Sequence, residues 1–319
     1  MAVYTHVSES ELRAALQDYD VGELGAFRGI AEGVENTNYA VETDGGRFIL
    51  TLFERRVREG DLPFFLELMG HLAKKGLPSP APVPGKDGEA LRRICGKPAV
   101  LITFLPGAPR MTPSAPDCRA LGHILAKLHL ATADFPFSRR NDLGLPGWID
   151  LAVKCEKRAD DHANGLSAFI RDEIEFVRSR WPLGLPSGVI HADLFPDNVF
   201  FESGAVTGMI DFYFSCTDYY AYDLAVCLIS WAFVSGSWRA NNAAALIAGY
   251  EAGRLLSRAE RDALPILARG AALRFLLTRL YDALNLVEGA VVRVKNPLEY
   301  RDLLRLLRES PYLIGHAHD

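Results

Sequence analysis

A surplus of positive charge is missing from this chain. Its formal net charge is −5 and its isoelectric point 5.9, so it lacks the basic footprint with which proteins hold nucleic-acid phosphates or an anionic membrane surface. Long apolar runs are missing too. The most apolar stretch, Leu224 to Val234, is too short to span a bilayer and follows Asp223, and the polar N-terminus has no signal-peptide core. Cysteine is sparse. Cys95, Cys118, Cys155, Cys216 and Cys227 are odd in number, scattered and without metal-ligand spacing, which argues against a disulfide framework and fits the reducing cytoplasm. Internal repeats, low-complexity tracts, the P-loop pattern and the dinucleotide-binding glycine fingerprint are absent as well. What is there is a chain of 319 residues, 49% apolar, long enough for one large or two modest domains with a full core.

The chemistry concentrates in His191-Ala192-Asp193-Leu194-Phe195-Pro196-Asp197-Asn198-Val199 and in Ile210-Asp211-Phe212-Tyr213. Ser187 to His191 reads as a short buried strand running into a polar loop, because Pro196 interrupts any ladder and Asp and Asn favour turns. Val199 to Phe201 and Ala205 to Ile210 then read as two strands joined by the turn Glu202-Ser203-Gly204, a β-hairpin. Both ends of a hairpin lie side by side, so Asn198 and Asp211 are expected to converge, with Asp193 on the loop just ahead of them. Two hard oxygen ligands that leave room for water and phosphate oxygens are what nucleotide-bound Mg²⁺ requires. A separate carboxylate nearby can accept the proton of an attacking hydroxyl.

His-x-Asp-x-x-x-x-Asn followed by Ile-Asp-Phe resembles the signature of the aminoglycoside-phosphotransferase and choline-kinase-like branch of the protein-kinase fold. The resemblance implies an α+β, bilobal protein-kinase-like fold: a small antiparallel-sheet N-lobe over residues 1–104 that binds nucleotide, and a larger, mostly helical C-lobe over 105–319 that carries catalysis and substrate binding. It implies ATP and Mg²⁺ as cofactors, Asp193 as catalytic base, and Asn198 and Asp211 as metal ligands. His191 and Asp223 then give structural support, Asp223 by accepting backbone hydrogen bonds from the catalytic loop.

The rest of the chain can be placed around this motif. Ser8 to Glu11, followed by Leu12, Ala15, Leu16 and Tyr19, predicts a capped amphipathic helix. Gly25 to Ile30, Asn38 to Glu42 and Arg47 to Phe53 alternate as three antiparallel strands. The polar loop between the first two carries Gly33, Asn36, Thr37 and Asn38, and could lay backbone N–H groups over phosphates, as the corresponding kinase loop does, or be a plain hairpin. The third strand has Thr51 where a kinase-fold protein usually places Lys, and Arg55 and Arg56 follow it. The helix from Leu62 to Lys75 offers Glu67, either as partner of a strand cation or as a surface residue. Pro78 to Gly88 is an ordered connector. Pro98 to Leu105 is an apolar strand ending at the expected hinge; by resemblance, the backbone of Thr103, Phe104 and Leu105 would read the adenine edge.

Arg119 to Thr132 predicts a helix, with His129 packed or capping at its end. Asp142 to Asp150 reads as a Gly/Pro loop, and Asp160 to Arg180 as a polar helix. Asp218 reads as a helix N-cap by default. The last third is helical, over Ala240–Arg254, Arg258–Val287 and Pro297–Leu307. Within it Arg279 can pair with Asp282 at i, i+3. Arg274 has no such neighbour and must reach a carboxylate elsewhere, of the protein or of a substrate.

Gly33 to Tyr39, Phe48 to Glu54, Leu62-Pro-Phe-Phe65 and Leu273-Arg-Phe through Arg279-Leu-Tyr-Asp282 resemble the kinase-fold homoserine kinases of threonine biosynthesis, a family that also has Thr in the third strand. The similarity runs through nearly the whole chain and implies transfer of the ATP γ-phosphate to the hydroxyl of L-homoserine, in the cytoplasm, by a monomer or small homo-oligomer with no nucleic-acid or membrane partner. Arg274 or Arg279 is then the candidate for the substrate carboxylate, and Tyr213 a further substrate contact. Other amino alcohols stay open on the residues alone: choline would want an aromatic cage, for which Tyr213, Tyr219, Tyr220, Trp231 and Trp238 are available, and an aminoglycoside an acidic rim. A nucleotide-binding pseudokinase is the non-catalytic alternative, motivated by the missing Lys.

Overall fold

A computed structural model describes residues 4–30, 36–54, 57–285 and 295–314. Gly33, on the expected phosphate loop, and Arg55 and Arg56 lie outside these. The chain forms two compact units. The described parts of Met1–Gly107, together with Thr207–Tyr213, make one; those of Ala108–Val206, Phe214–Glu288 and Val294–Asp319 make the other.

The first unit begins with α1 (Glu9–Leu16), started by the reciprocal capping box of Ser8 and Glu11. Strands β1 (Leu24–Ile30), β2 (Thr37–Thr43) and β3 (Gly46–Leu52) follow, then α2 (Leu62–Lys74), β4 (Leu91–Ile94) and β5 (Lys97–Thr103). The sheet order is β1-β2-β3-β5-β4, and the pairings are antiparallel throughout. Alternation along the strands assigns the faces. Tyr39, Val41, Leu50 and Leu52 join Leu12 and Leu16 of α1 in a buried cluster, which leaves Asn38 and Thr51, cross-strand partners in the register, on the opposite face. Glu67 is exposed on α2, so it is the surface residue of the two readings.

The second unit contains β6 (Ala108–Pro109), α3 (Ala115–Ala131), α4 (Leu145–Cys155), α5 (Leu166–Arg180), β7 (Ser187–Ile190), β8 (Val199–Glu202) and the start of β9 (Ala205–Met209). After these come β10 (Cys216–Tyr219), α6 (Tyr220–Trp231), β11 (Phe233–Val234), β12 (Ser237–Trp238), α7 (Ala240–Glu251), α8 (Arg258–Leu284) and α9 (Leu298–Glu309). Helix α6 is buried from Ala221 through Trp231, so it runs through the core of this unit. Helices α3 and α7 touch backbone to backbone: a Cβ added at Gly122 would lie 2.1 Å from the Leu246 carbonyl oxygen, and one at Gly249 2.1 Å from that of Arg119.

Three sequence expectations need correction. Asp142 to Asp150 is not a loop throughout, because α4 starts within it, with Pro146 in its first turn, where a missing N–H goes unused anyway. Helix α5 starts six residues later than expected, at Leu166, because Gly165 precedes it at φ +76°, outside helical space. Asp218 is not an N-cap. It lies in β10, paired with β7, and its carboxylate accepts from Asn141 Nδ2 at 2.7 Å and from the Tyr219 N–H at 2.7 Å.

Candidate active site

The loop after β7 departs from regular backbone at Ala192, which sits at φ +66°, a left-handed conformation that strains an alanine by about 1–2 kcal/mol. Side chains from two helices hold it there. Asp223, in the first turn of α6, accepts the N–H groups of His191 at 2.8 Å and Ala192 at 2.7 Å. Arg274 of α8 donates Nη1 to the Ala192 carbonyl at 2.5 Å, and Trp231 of α6 donates its indole N–H to the Leu194 carbonyl at 2.7 Å. The backbone from His191 to Leu194 is thereby gripped from both sides.

Asp193 projects from this gripped stretch and is half-buried. Asn198, at the end of a single 3₁₀ turn over Pro196–Asn198, donates Nδ2 to the Asp193 carbonyl at 2.8 Å and approaches its Oδ2 at 3.4 Å. These contacts fix which way the amide faces: nitrogen toward Asp193, oxygen away from it. Arg274 Nη2 lies 3.6 Å from Asp193 Oδ1, with the arginine side chain only 2% exposed. The carboxylate that the sequence could not supply for Arg274 is therefore Asp193. Burial opposes the guanidinium charge, but Tyr222, Asp193 and Cys216 more than offset it and raise its pKa.

Behind Asp223 stands a buried polar string. His129 Nε2 is 3.1 Å from Asp223 Oδ2, its Nδ1 is 2.7 Å from the Tyr250 hydroxyl, and Arg254 Nη1 reaches that hydroxyl at 3.2 Å. Burial, only partly opposed by Asp223, pulls the His129 pKa below its ordinary value. Burial would raise that of Asp223, but His129, His191 and the backbone N–H bonds win and hold it below the ordinary range. Near neutral pH the ring is neutral: it donates Nε2–H to an ionised Asp223 and accepts from Tyr250.

In the first unit Asp211 also has a left-handed backbone, φ +65°. Two residues on, Tyr213 packs edge-on against Phe53 and Phe65, with ring centroids 5.1 and 5.8 Å away. Burial, then the Asp211 charge, raise its phenol pKa against an opposing hydrogen bond with Thr51. The Thr51 hydroxyl also donates to Asn38 Oδ1 at 2.7 Å, so Thr51 links Tyr213 and Asn38. Thr37 is fully buried, and its hydroxyl donates to Glu54 at 2.8 Å and accepts from the N–H groups of Tyr4 at 2.9 Å and Thr5 at 3.1 Å. It has no donor left for a ligand. Asn36 Oδ1 accepts the Glu54 N–H at 3.4 Å. At the end of β5, the Thr103 and Phe104 N–H groups bond the carbonyls of Ala81 at 2.9 Å and Arg47 at 3.2 Å. The Leu105 N–H bonds no backbone carbonyl among the described residues, which makes it the more available of the three for a base edge.

Other candidates have partners within the protein. Arg279 pairs with Glu299 at 2.6 Å and lies 4.5 Å over the Tyr300 ring; its strong partner comes from α9 and not from the i+3 position. Trp231 is fully buried, and Tyr220 stacks on His129 at 4.6 Å, so neither is set out as the wall of an aromatic cage. His129, Tyr250 and Trp231 support the loop without any local sequence signal, since their partners are 94, 121 and 37 residues away.

Residues 26–265 match the phosphotransferase enzyme family. The homoserine kinase of Xanthobacter autotrophicus is 56% identical over 306 residues, which cover 96% of this chain and 95% of that protein. That of Brucella canis is 52% identical over 310 residues, or 97% and 95%. Among solved structures, spectinomycin phosphotransferase in complex with ADP and spectinomycin aligns at TM-score 0.72 and 13% identity, over 93% of this chain and 95% of that one. Choline kinase from Cryptosporidium parvum aligns at TM-score 0.69 and 14% identity, over 96% of each. These two share a fold with this chain, the protein-kinase-like fold.

Proposed function

The chain belongs to the phosphotransferase enzyme family, and from that premise we propose how its residues divide the work of one reaction. The reaction is transfer of the ATP γ-phosphoryl group to the side-chain hydroxyl of L-homoserine, giving O-phosphohomoserine and ADP, a step of threonine biosynthesis. Identity of 52–56% along nearly the whole chain to proteins named homoserine kinase carries this assignment.

Asp193 orients the homoserine hydroxyl and takes its proton late, as the oxygen bonds to phosphorus and the bond to the β-phosphate oxygen breaks. Asn198, whose amide oxygen faces away from Asp193, and Asp211 are suited as hard-oxygen donors for Mg²⁺, which supplies charge neutralisation on the phosphates when bound. Residues 1–104 act as the nucleotide-binding lobe and 105–319 as the lobe for catalysis and substrate. The Leu105 N–H reads the adenine edge, and Asn36 to Asn38 contribute backbone to the phosphate loop. Thr51, committed to Asn38 and Tyr213, works by positioning Tyr213. Arg279, with Tyr213, is kept as a contact to the amino acid. Among the described residues no helix is long and apolar enough to cross a membrane; the proposed setting is the cytoplasm, as a monomer or small homo-oligomer.

An ADP-release assay with Mg-ATP, comparing L-homoserine with choline, an aminoglycoside and L-serine, tests this reading. Selective turnover of homoserine is expected. Turnover of another alcohol in its place would keep the kinase core and discard the substrate.

A further inference from the structure

Arg274 is the largest charged side chain in the buried interior of its unit, and both ends of its fork are spent on two adjacent residues of one loop. Nη1 holds the carbonyl of Ala192 at 2.5 Å, and Nη2 faces the Asp193 carboxylate at 3.6 Å. The guanidinium plane is fixed in turn by aromatic rings, 4.6 Å from the Phe275 centroid and 5.6 Å from that of Phe214. Ala192 lies between the two grips, with its N–H on Asp223 and its carbonyl on Arg274. A left-handed alanine persists only where its surroundings over-determine it, and the direction in which Asp193 leaves the backbone follows from that conformation.

We infer that Arg274 is a positioning residue for the catalytic carboxylate: it locks the Ala192 peptide and steadies Asp193 Oδ1, and so sets the direction in which the carboxylate meets the substrate hydroxyl. This rests on the reading of Asp193 as the base. It also removes Arg274 from the candidates for the homoserine carboxylate, because the side chain is only 2% exposed and both terminal nitrogens already face the loop, Nη1 at Ala192 and Nη2 at Asp193. Lysine is no equivalent here. A point charge on a flexible stem cannot hold a carbonyl and a carboxylate in one plane.

Steady-state kinetics of the full-length enzyme with Mg-ATP and L-homoserine decide it, using Arg274→Gln, Arg274→Lys, Asp193→Asn and the double variant Asp193→Asn/Arg274→Gln. Arg274→Gln is expected to lower kcat about 100-fold, within the range of a general-base contribution, with KM for both substrates within about threefold. Arg274→Lys is expected to fold and still lose about tenfold in kcat. In the Asp193→Asn background, Arg274→Gln should cost less than about threefold, because residues that act as a unit are not additive. Should Arg274→Gln fail to fold, the Lys variant carries the test alone, and wild-type kcat in it overturns the inference. A rise in KM for homoserine with kcat retained would also overturn it, by returning Arg274 to the substrate. So would a lower melting temperature with unchanged kcat, which is the mark of mere packing. Normal turnover by Asp193→Asn would sink the base assignment and this inference with it, whereas inactive Asp193→Asn beside fully active Arg274→Gln would sink this inference alone.

Discussion

The two units hold their polar residues by opposite means. In the first, Tyr213, Thr51 and Asn38 form a string of neutral hydrogen bonds beside the Asp211 carboxylate. In the second, Asp193, Asp223 and Arg274 are charges withdrawn from water, each matched to a partner, with neutral His129 behind them. The contrast teaches what each arrangement is good for. Neutral hydrogen bonds place the Tyr213 ring, two residues beyond Asp211, through side chains that carry no charge. Buried charges grip more firmly, because an unpaired one costs so much that the loop has few alternative conformations.

That contrast can be broken by substitution. Asp223→Asn keeps one of the two oxygens that serve His129, His191 and Ala192 and turns an NH₂ group on the other side, so that at least two buried donors are stranded, for about 2–6 kcal/mol in all. Urea unfolding should show that loss, and a loss under about 1 kcal/mol would mean the second unit does not depend on its charges. Thr51→Val in the first unit strands one buried donor and one acceptor, for about 1–3 kcal/mol. The same unfolding experiment should find it well below Asp223→Asn; equality of the two would erase the contrast.

The smallest effect is with pH. His129 and Asp223 both have pKa values below their unfolded ones, so each contributes stability above its unfolded value and loses it as the pH falls. His129 begins this loss near its ordinary value of 6.5, and Asp223 only near 3.8. The stability lost between about pH 6.5 and 5 therefore belongs in part to His129, and His129→Gln should flatten that slope in melts recorded across the range. An unchanged slope would mean the ring does not titrate there.

Much of this was legible in the sequence where the cause is local. The Ser8 capping box, the turn at Glu202-Ser203-Gly204 and the five-residue spacing of Asp193 and Asn198 depend on neighbours, and the elements they announce formed as expected. Composition misled where one residue type has two uses. Pro146 and Gly147 suggest a loop, yet a proline in the first helical turn is a start signal, and α4 begins there. The support of the loop after β7 was illegible beyond Asp223, since Trp231, Arg274 and His129 act on it across long separations. Arg274 announced only that it needed a carboxylate; which one was a matter of how α8 packs.

The most direct test of the account is ³¹P NMR of the Mg-ATP and L-homoserine reaction, run in parallel with thermal melts, for the wild type, Asp193→Asn and Asp211→Ala. The wild type should produce O-phosphohomoserine. Each variant should lose about 100-fold or more in rate while melting near the wild-type temperature. O-phosphohomoserine formed at a near-normal rate by either variant, or none formed by the wild type, would contradict it.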